Sequence, residues 1–278
     1  MRVLLAEPSG ACYGVNRALE LAYGAAEAAE GRPVHTLGPL IHNPKVVDEL
    51  VSKGVEVADS LPDAGEGLLV IRSHGVPSGL IEQAQARGLE VVDATCPHVK
   101  RAQEEASRLA SEGRYVLILG EPGHPEVEAI FSYSGDRACV IESAGDVPEL
   151  DPATSIGVVV QTTQRPEKLA ALVDVLGARF DDLEVSNTIC SATQQRQNAA
   201  KKLASEVDSM VVIGGRNSGN TTRLFGICHE ACPRTFHIES ACELEHEWFA
   251  GCESVGVTAG ASTPRSHIDA VAGVLEGF

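Results

Sequence analysis

Aromatic residues are scarce, at 4% of the chain with a single tryptophan, so the sequence offers no platform for stacking on exposed bases. Basic residues are also in deficit. The 22 Lys and Arg stand against 39 Asp and Glu, a formal net charge of −17, which repels nucleic acid and anionic membrane. Any anion the protein binds must therefore be held by a local site. No run approaches the ~18 apolar residues of a membrane-spanning helix. The N-terminus begins as a strand, without the charged, apolar, small-residue order of a secretory signal. The expectation is a cytoplasmic protein with no nucleic-acid and no membrane partner. No GxGxxG fingerprint opens a helix, which argues against direct use of a nicotinamide. No low-complexity linker interrupts the chain.

What the chain does have is core-forming material and cysteine. Its 278 residues are 44% hydrophobic, enough for two or three small domains, and eight are cysteines. In a reducing compartment these are metal ligands, reactive thiols or core residues rather than disulfides. Three of them share one context. VVDATC over 91–96, VLLAE over 3–7 leading to Cys12, and LEVSNTI over 183–189 leading to Cys190 each read as a strand running into a cysteine that opens a helix. The apolar faces of those helices are predicted as Val15, Ala18, Leu19 and Ala22, then Val99, Ala102, Ala106 and Leu109, then Ala192, Ala199 and Leu203.

The three cysteines lie 84 and 94 residues apart, and the segments between them repeat. After each cysteine helix comes a strand ending in glycine: PVHTLG (33–38), YVLILG (115–120) and MVVIGG (210–215). The polar turns IHNP (41–44), GHPE (123–126) and NSGN (217–220) each lead into a second helix. A short strand follows from 54, 138 and 235, then a further strand within LLVIRSHG (68–75), GVVVQTT (157–163) and VGVTAGAS (255–262). A last helix returns to the next strand and cysteine. The third unit lacks that final strand, and the N-terminal strand is free to supply it. Runs of Val, Ile and Leu without alternation fit parallel sheets covered on both faces. The predicted fold is α/β: three α/β/α units with parallel sheets around a pseudo-threefold axis. The units are 13–95, 96–189, and 190–278 with 1–12.

Strand ends of parallel sheets that meet helix N-termini stabilise anions and commonly carry the chemistry. Three such ends on one axis bring Cys12, Cys96 and Cys190 together as a metal centre with an open position. Zinc is possible, but sulfur-rich, widely separated ligands suit an iron-sulfur cluster better, and its fourth iron is free to act as a Lewis acid. Cys228 and Cys232 form a rival metal motif with His229. Their spacing also puts both on the apolar face of a helix beside Leu224 and Phe225, and core packing is the better reading. Around the axis, His42, His74, His124, Glu126, Thr162, Ser218, Asn220 and Ser262 form a pocket able to hold a phosphate or diphosphate without lysine. Glu126, the only carboxylate among them, is suited to proton delivery.

GACYGVNRA (10–18), IHN, SHGV, DATCP, GHPEVE, QTT, NSGN and VTAGAS together resemble the 4-hydroxy-3-methylbut-2-enyl diphosphate reductases, or LytB proteins, over essentially the whole chain. The resemblance implies a three-domain, pseudo-threefold trefoil around a central iron-sulfur cluster: one 4Fe-4S cluster on Cys12, Cys96 and Cys190 with an open fourth iron. It implies diphosphate binding by His42, His74, His124, Ser218, Asn220 and Ser262, with Thr162 near the substrate hydroxyl and Glu126 as proton source. At Gly219 many relatives carry serine, so a hydroxyl contact is lost there while the backbone N–H can remain. The implied reaction is two-electron, two-proton removal of an allylic hydroxyl at the last step of the non-mevalonate isoprenoid route. It gives isopentenyl and dimethylallyl diphosphates, with ferredoxin or flavodoxin as electron donor. A quinolinate-synthase-like iron-sulfur dehydratase shares the three-cysteine plan and is the alternative enzyme; an iron-sulfur sensor or carrier is the non-enzymatic one.

Overall fold

A computed structural model describes all 278 residues and holds twelve strands in three four-stranded sheets, every pairing parallel. The chain separates into two compact units: residues 1–16, 41–47 and 191–278 in one, 17–40 and 48–190 in the other.

The first unit carries one sheet, in the order β1 (Arg2–Leu5), β12 (Ser254–Ala259), β10 (Ser209–Ile213), β11 (Thr235–Ile238). The N-terminal strand pairs with β12, Arg2 opposite Ser254 and Leu5 opposite Val257, and so fills the place left by the end of the chain. Helices α7 (Ser191–Ala204), α8 (Gly219–Ala231) and α9 (Arg265–Glu276) complete this unit. Ile268, Val271 and Leu275 of α9 join one buried cluster with Val211, Val255 and Val257; Ala200 and Leu203 of α7 join another with Met210, Val212 and Leu224.

The second unit carries the other two sheets. One is ordered β3 (Val55–Ala58), β2 (Val34–Leu37), β4 (Leu68–Ile71), β5 (Glu90–Asp93). The other is ordered β7 (Ala138–Ile141), β6 (Tyr115–Leu119), β8 (Ile156–Val160), β9 (Leu183–Ser186). In each sheet the four strands take the same relative places as in the first unit. Most of α1 (Tyr13–Ala28) and α2 (Pro44–Ser52) belong here, as do α3 (Leu80–Ala86), α4 (Pro97–Ser111), α5 (Pro125–Ser132) and α6 (Pro166–Arg179).

The absence of alternation in the sequence has a direct cause. Every residue of β4, β8, β10 and β12 is buried, because each lies inside its sheet with both faces covered, whereas edge strands such as β1 and β5 bury none of theirs.

Two local readings change. In α7 the buried face is Thr193, Arg196, Gln197, Ala200, Leu203 and Ala204, while Ala192 and Ala199 are only half-buried. Apolar spacing missed this face because three of its members, Thr193, Arg196 and Gln197, are polar. Cys232 lies one residue past α8, as its C-cap, rather than within the helix. Short 3-10 helices follow β7 and β11, each opened by a serine in a reciprocal capping box with an acidic residue, Ser143 with Asp146 and Ser240 with Glu243.

Candidate active site

The three repeated cysteines are all free thiols. Each is anchored in the same way. The Cys12 N–H donates to the carbonyl of Ala261 at 3.2 Å, that of Cys96 to Ser73 at 2.9 Å and that of Cys190 to Thr162 at 2.9 Å. Ala261, Ser73 and Thr162 each stand two residues past the end of the third strand of their sheet, β12, β4 and β8. Each cysteine immediately precedes a helix, and Cys96 is the N-cap of α4 in extended conformation. The start of a helix is a place where unpaired N–H groups and the helix dipole suit an anionic group. Three free thiols, each immediately before a helix, are the donor type that an iron-sulfur cluster takes as ligands.

The remaining cysteines do not share that setting. Cys228 is fully buried beside α7, and burial, followed by the neighbouring Cys232, pushes its thiol up to about 12. Cys139 sits in β7 with its thiol raised by burial, and Cys242 is exposed in a 3-10 helix.

In the second unit the structure links Glu126, Thr162 and Cys190 into one chain. Glu126, 2% exposed in the first turn of α5, accepts the Thr162 N–H at 2.6 Å on one carboxylate oxygen and the Thr162 hydroxyl at 3.0 Å on the other. The Thr162 carbonyl then takes the Cys190 N–H. Capping is left to His124, whose Nδ1 accepts the Glu126 N–H at 3.1 Å. That bond fixes the tautomer: with Nδ1 accepting, the ring proton sits on Nε2, which becomes a donor. His74 meets His124 edge to face, ring centroids 5.6 Å apart. Pro125 at the first helical position wastes no N–H.

In the first unit the sites expected at 42, 218–220 and 262 are held by one framework. Asn43 donates from its side-chain amide to the Ser262 carbonyl at 2.8 Å, and its own oxygen accepts the Val46 N–H at the start of α2. The turn carrying His42 is thereby tied to the turn carrying Ser262. Ser218 caps α8 by accepting the Thr221 N–H at 3.3 Å. The N–H groups of Gly219 and Asn220 make no hydrogen bond in the protein, and neither side-chain atom of Asn220, a residue 8% exposed, has a partner. Buried amides left this way cost about 1–3 kcal/mol each, which marks a place for a ligand. A helix N-terminus with two open N–H groups and an amide suits an anion without a lysine. Gly214 is required beneath it: its φ is +147°, and a Cβ would stand 2.6 Å from the Thr221 hydroxyl oxygen.

The family model described as LytB protein matches residues 3–276. The chain belongs to the LytB family. It is 49% identical to the 4-hydroxy-3-methylbut-2-enyl diphosphate reductase of Geobacter sulfurreducens (strain ATCC 51573 / DSM 12127 / PCA), over 100% of this chain and 98% of the relative. It is likewise 49% identical to that of Geobacter sp. (strain M21), over 98% and 95%. Among solved structures of LytB relatives, it resembles one described as (E)-4-hydroxy-3-methyl-but-2-enyl diphosphate reductase, the terminal enzyme of the non-mevalonate pathway. That likeness has a TM-score of 0.75 at 42% identity over 100% of both chains. The E-1-hydroxy-2-methyl-but-2-enyl-4-diphosphate reductase from Plasmodium falciparum matches at a TM-score of 0.92 and 25% identity, covering 98% of this chain and 87% of that one. These relatives are named as reductases, and none of them supports the dehydratase alternative.

Asn43, which ties the turn carrying His42 to the turn carrying Ser262, was missed by sequence reasoning. Asn43 lies inside the IHN motif and could have been found there; its partner Ser262, 219 residues away, could not.

For this LytB chain, Asn220→Ala is expected to leave the denaturation midpoint unchanged or raised, because a buried amide without a partner is removed. Affinity for an allylic diphosphate should fall about tenfold or more, as hydrogen bonds to a charged group are worth about 1.5–3 kcal/mol. Isothermal titration beside chemical denaturation checks both. Equal loss of stability and affinity would make Asn220 a structural residue.

Proposed function

We propose that this chain reductively removes the hydroxyl of (E)-4-hydroxy-3-methylbut-2-enyl diphosphate, consuming two electrons and two protons and releasing water with isopentenyl or dimethylallyl diphosphate. The observation that carries the reading is the Glu126–Thr162–Cys190 chain, which ties a buried carboxylate to a ligand cysteine through one residue. Cys12, Cys96 and Cys190 would hold a 4Fe-4S cluster, which would pass on the electrons and offer, at an iron without a protein ligand, a Lewis acid. The three α/β units 13–95, 96–189 and 190–278 with 1–12 are the domains that present these cysteines.

The chain's own residues do the rest. The diphosphate is held by the Nε2–H of His124, by His42 and His74, and by Ser218, the Gly219 and Asn220 N–H groups, the Asn220 amide and Ser262. None of these donors is a lysine or arginine, and the chain's −17 net charge gives no general attraction for anions, so the anion depends on this local set. Glu126 holds the proton that leaves with the hydroxyl, and Thr162 keeps the carboxylate aimed. A carboxyl that holds its proton keeps acceptor lone pairs for the Thr162 N–H and hydroxyl and has one O–H to donate. The protein works in the cytoplasm, where its thiols stay reduced, and takes electrons from a ferredoxin or flavodoxin.

His124→Phe should weaken diphosphate binding about tenfold or more while costing about 0.5–2 kcal/mol of stability through the lost cap. His42→Phe should weaken binding without the cap penalty. Unchanged affinity in both would remove these histidines from the site. The function itself is tested by giving anaerobically prepared protein a chemical reductant and the allylic diphosphate. Both five-carbon diphosphates should appear, and their absence from cluster-loaded protein would overturn the reading.

A further inference from the structure

Arg196 is 6% exposed in α7, six residues past Cys190, and it is not paired with a carboxylate. Its guanidinium donates only to backbone carbonyls: Nε to Gly10 at 2.9 Å, Nη2 to Ala11 at 3.2 Å and Nη1 to Ala192 at 2.9 Å. Two of those carbonyls belong to the residues just before Cys12. No acidic residue lies on α7, and Glu7, the one acidic residue in 1–16, is exposed. A buried cation with no counter-charge is among the costliest arrangements in a protein interior. Carbonyl dipoles satisfy three of its five N–H donors and leave the charge uncompensated. The comparable clamp before Cys96 differs. Arg17 donates to the Thr95 and Asp93 carbonyls at 3.2 and 3.3 Å, but it is only half-buried, and Asp93 at the end of β5 forms an ion pair with Lys100 of α4 nearby.

We infer that Arg196 is the built-in counter-charge of the anionic group held at Cys12, and that it raises that group's readiness to accept an electron. This rests on the reading of Cys12 as a cluster ligand. A cluster on three thiolates carries net negative charge and gains more when reduced, so a fixed cation beside one ligand loop favours the reduced form. The same cation is a burden on the protein without the cluster. Arg196 is thus a positioning and electrostatic residue, not a catalytic one.

The test compares unaltered protein, R196M and R196K, each without cluster and after anaerobic iron and sulfide loading, by denaturant titration, iron loss to a chelator and dye-mediated redox titration. R196M without cluster should unfold at no lower denaturant concentration than unaltered protein. Loaded R196M should lose iron about tenfold faster or more, and at the unaltered protein's midpoint its reduced-to-oxidised ratio should fall by a similar factor. R196K, which keeps the charge and loses the fork, should stay within about threefold of unaltered protein in that ratio. R196M that is destabilised equally with and without cluster, that does not fold at all, or that keeps the unaltered midpoint would make Arg196 a backbone clamp and overturn the inference. Unaltered protein that takes up no cluster would remove the reading of Cys12 and the inference with it.

Discussion

Glu126→Gln is expected to cut turnover by roughly two to four powers of ten, the usual contribution of a positioned proton donor. The geometry makes this substitution unusually clean. Glutamine retains an oxygen for the Thr162 N–H, and its amide can donate to the Thr162 hydroxyl, which then accepts instead of donating. The two contacts to Thr162 are kept with one donor reversed, so stability should change by about 1 kcal/mol or less. Cluster content and the spectral change on adding the diphosphate should both persist. Glu126→Ala is the harsher contrast, since it leaves the buried Thr162 N–H without an acceptor at about 1–3 kcal/mol. Near-normal turnover in Glu126→Gln would move the proton source to Thr162, a water, or the substrate's own diphosphate.

The second large effect is on cluster assembly. Serine at Cys12, Cys96 or Cys190 should each reduce bound iron and the visible absorption of anaerobically loaded protein to near background. Serine at Cys228 or Cys232 should leave both intact. The Cys228 thiol, pushed up to about 12, is poorly disposed to become a thiolate, and its setting between α7 and α8 is core. Serine there places a hydroxyl in that core and costs about 1–3 kcal/mol, so the melting temperature of Cys228→Ser should fall while its spectrum does not change. Loss of absorption in Cys228→Ser and Cys232→Ser, with retention in Cys190→Ser, would reverse the assignment.

Much of this was legible in the chain because the repeat is local. A strand, a cysteine or a polar turn, and a helix fall within about a dozen residues, and apolar runs, glycines and prolines mark them directly. The pairing of β1 with β12 followed from counting which unit lacked a strand. What escaped the sequence depends on contacts made late in the chain's path. Arg196 meets Gly10 across 186 residues, and Asn43 meets Ser262 across 219. Neither pair leaves any period or spacing to read. Glu126 shows the same limit at close range. Its place in a first turn suggests a cap, yet His124 takes that role and frees the carboxylate for Thr162 on another element. Polar residues buried for a site also distort the apolar pattern, as Arg196 and Gln197 do in α7.

The central claim is that three cysteines hold a cluster whose remaining iron has no protein ligand. Anaerobic iron and sulfide determination joined to Mössbauer spectroscopy of the loaded protein, with and without the allylic diphosphate, tests it directly. The account predicts equal iron and sulfide, one iron distinct from the others, and a change confined to that iron when the diphosphate is added. A set of irons that all remain alike, and none of which responds to the diphosphate, would contradict it.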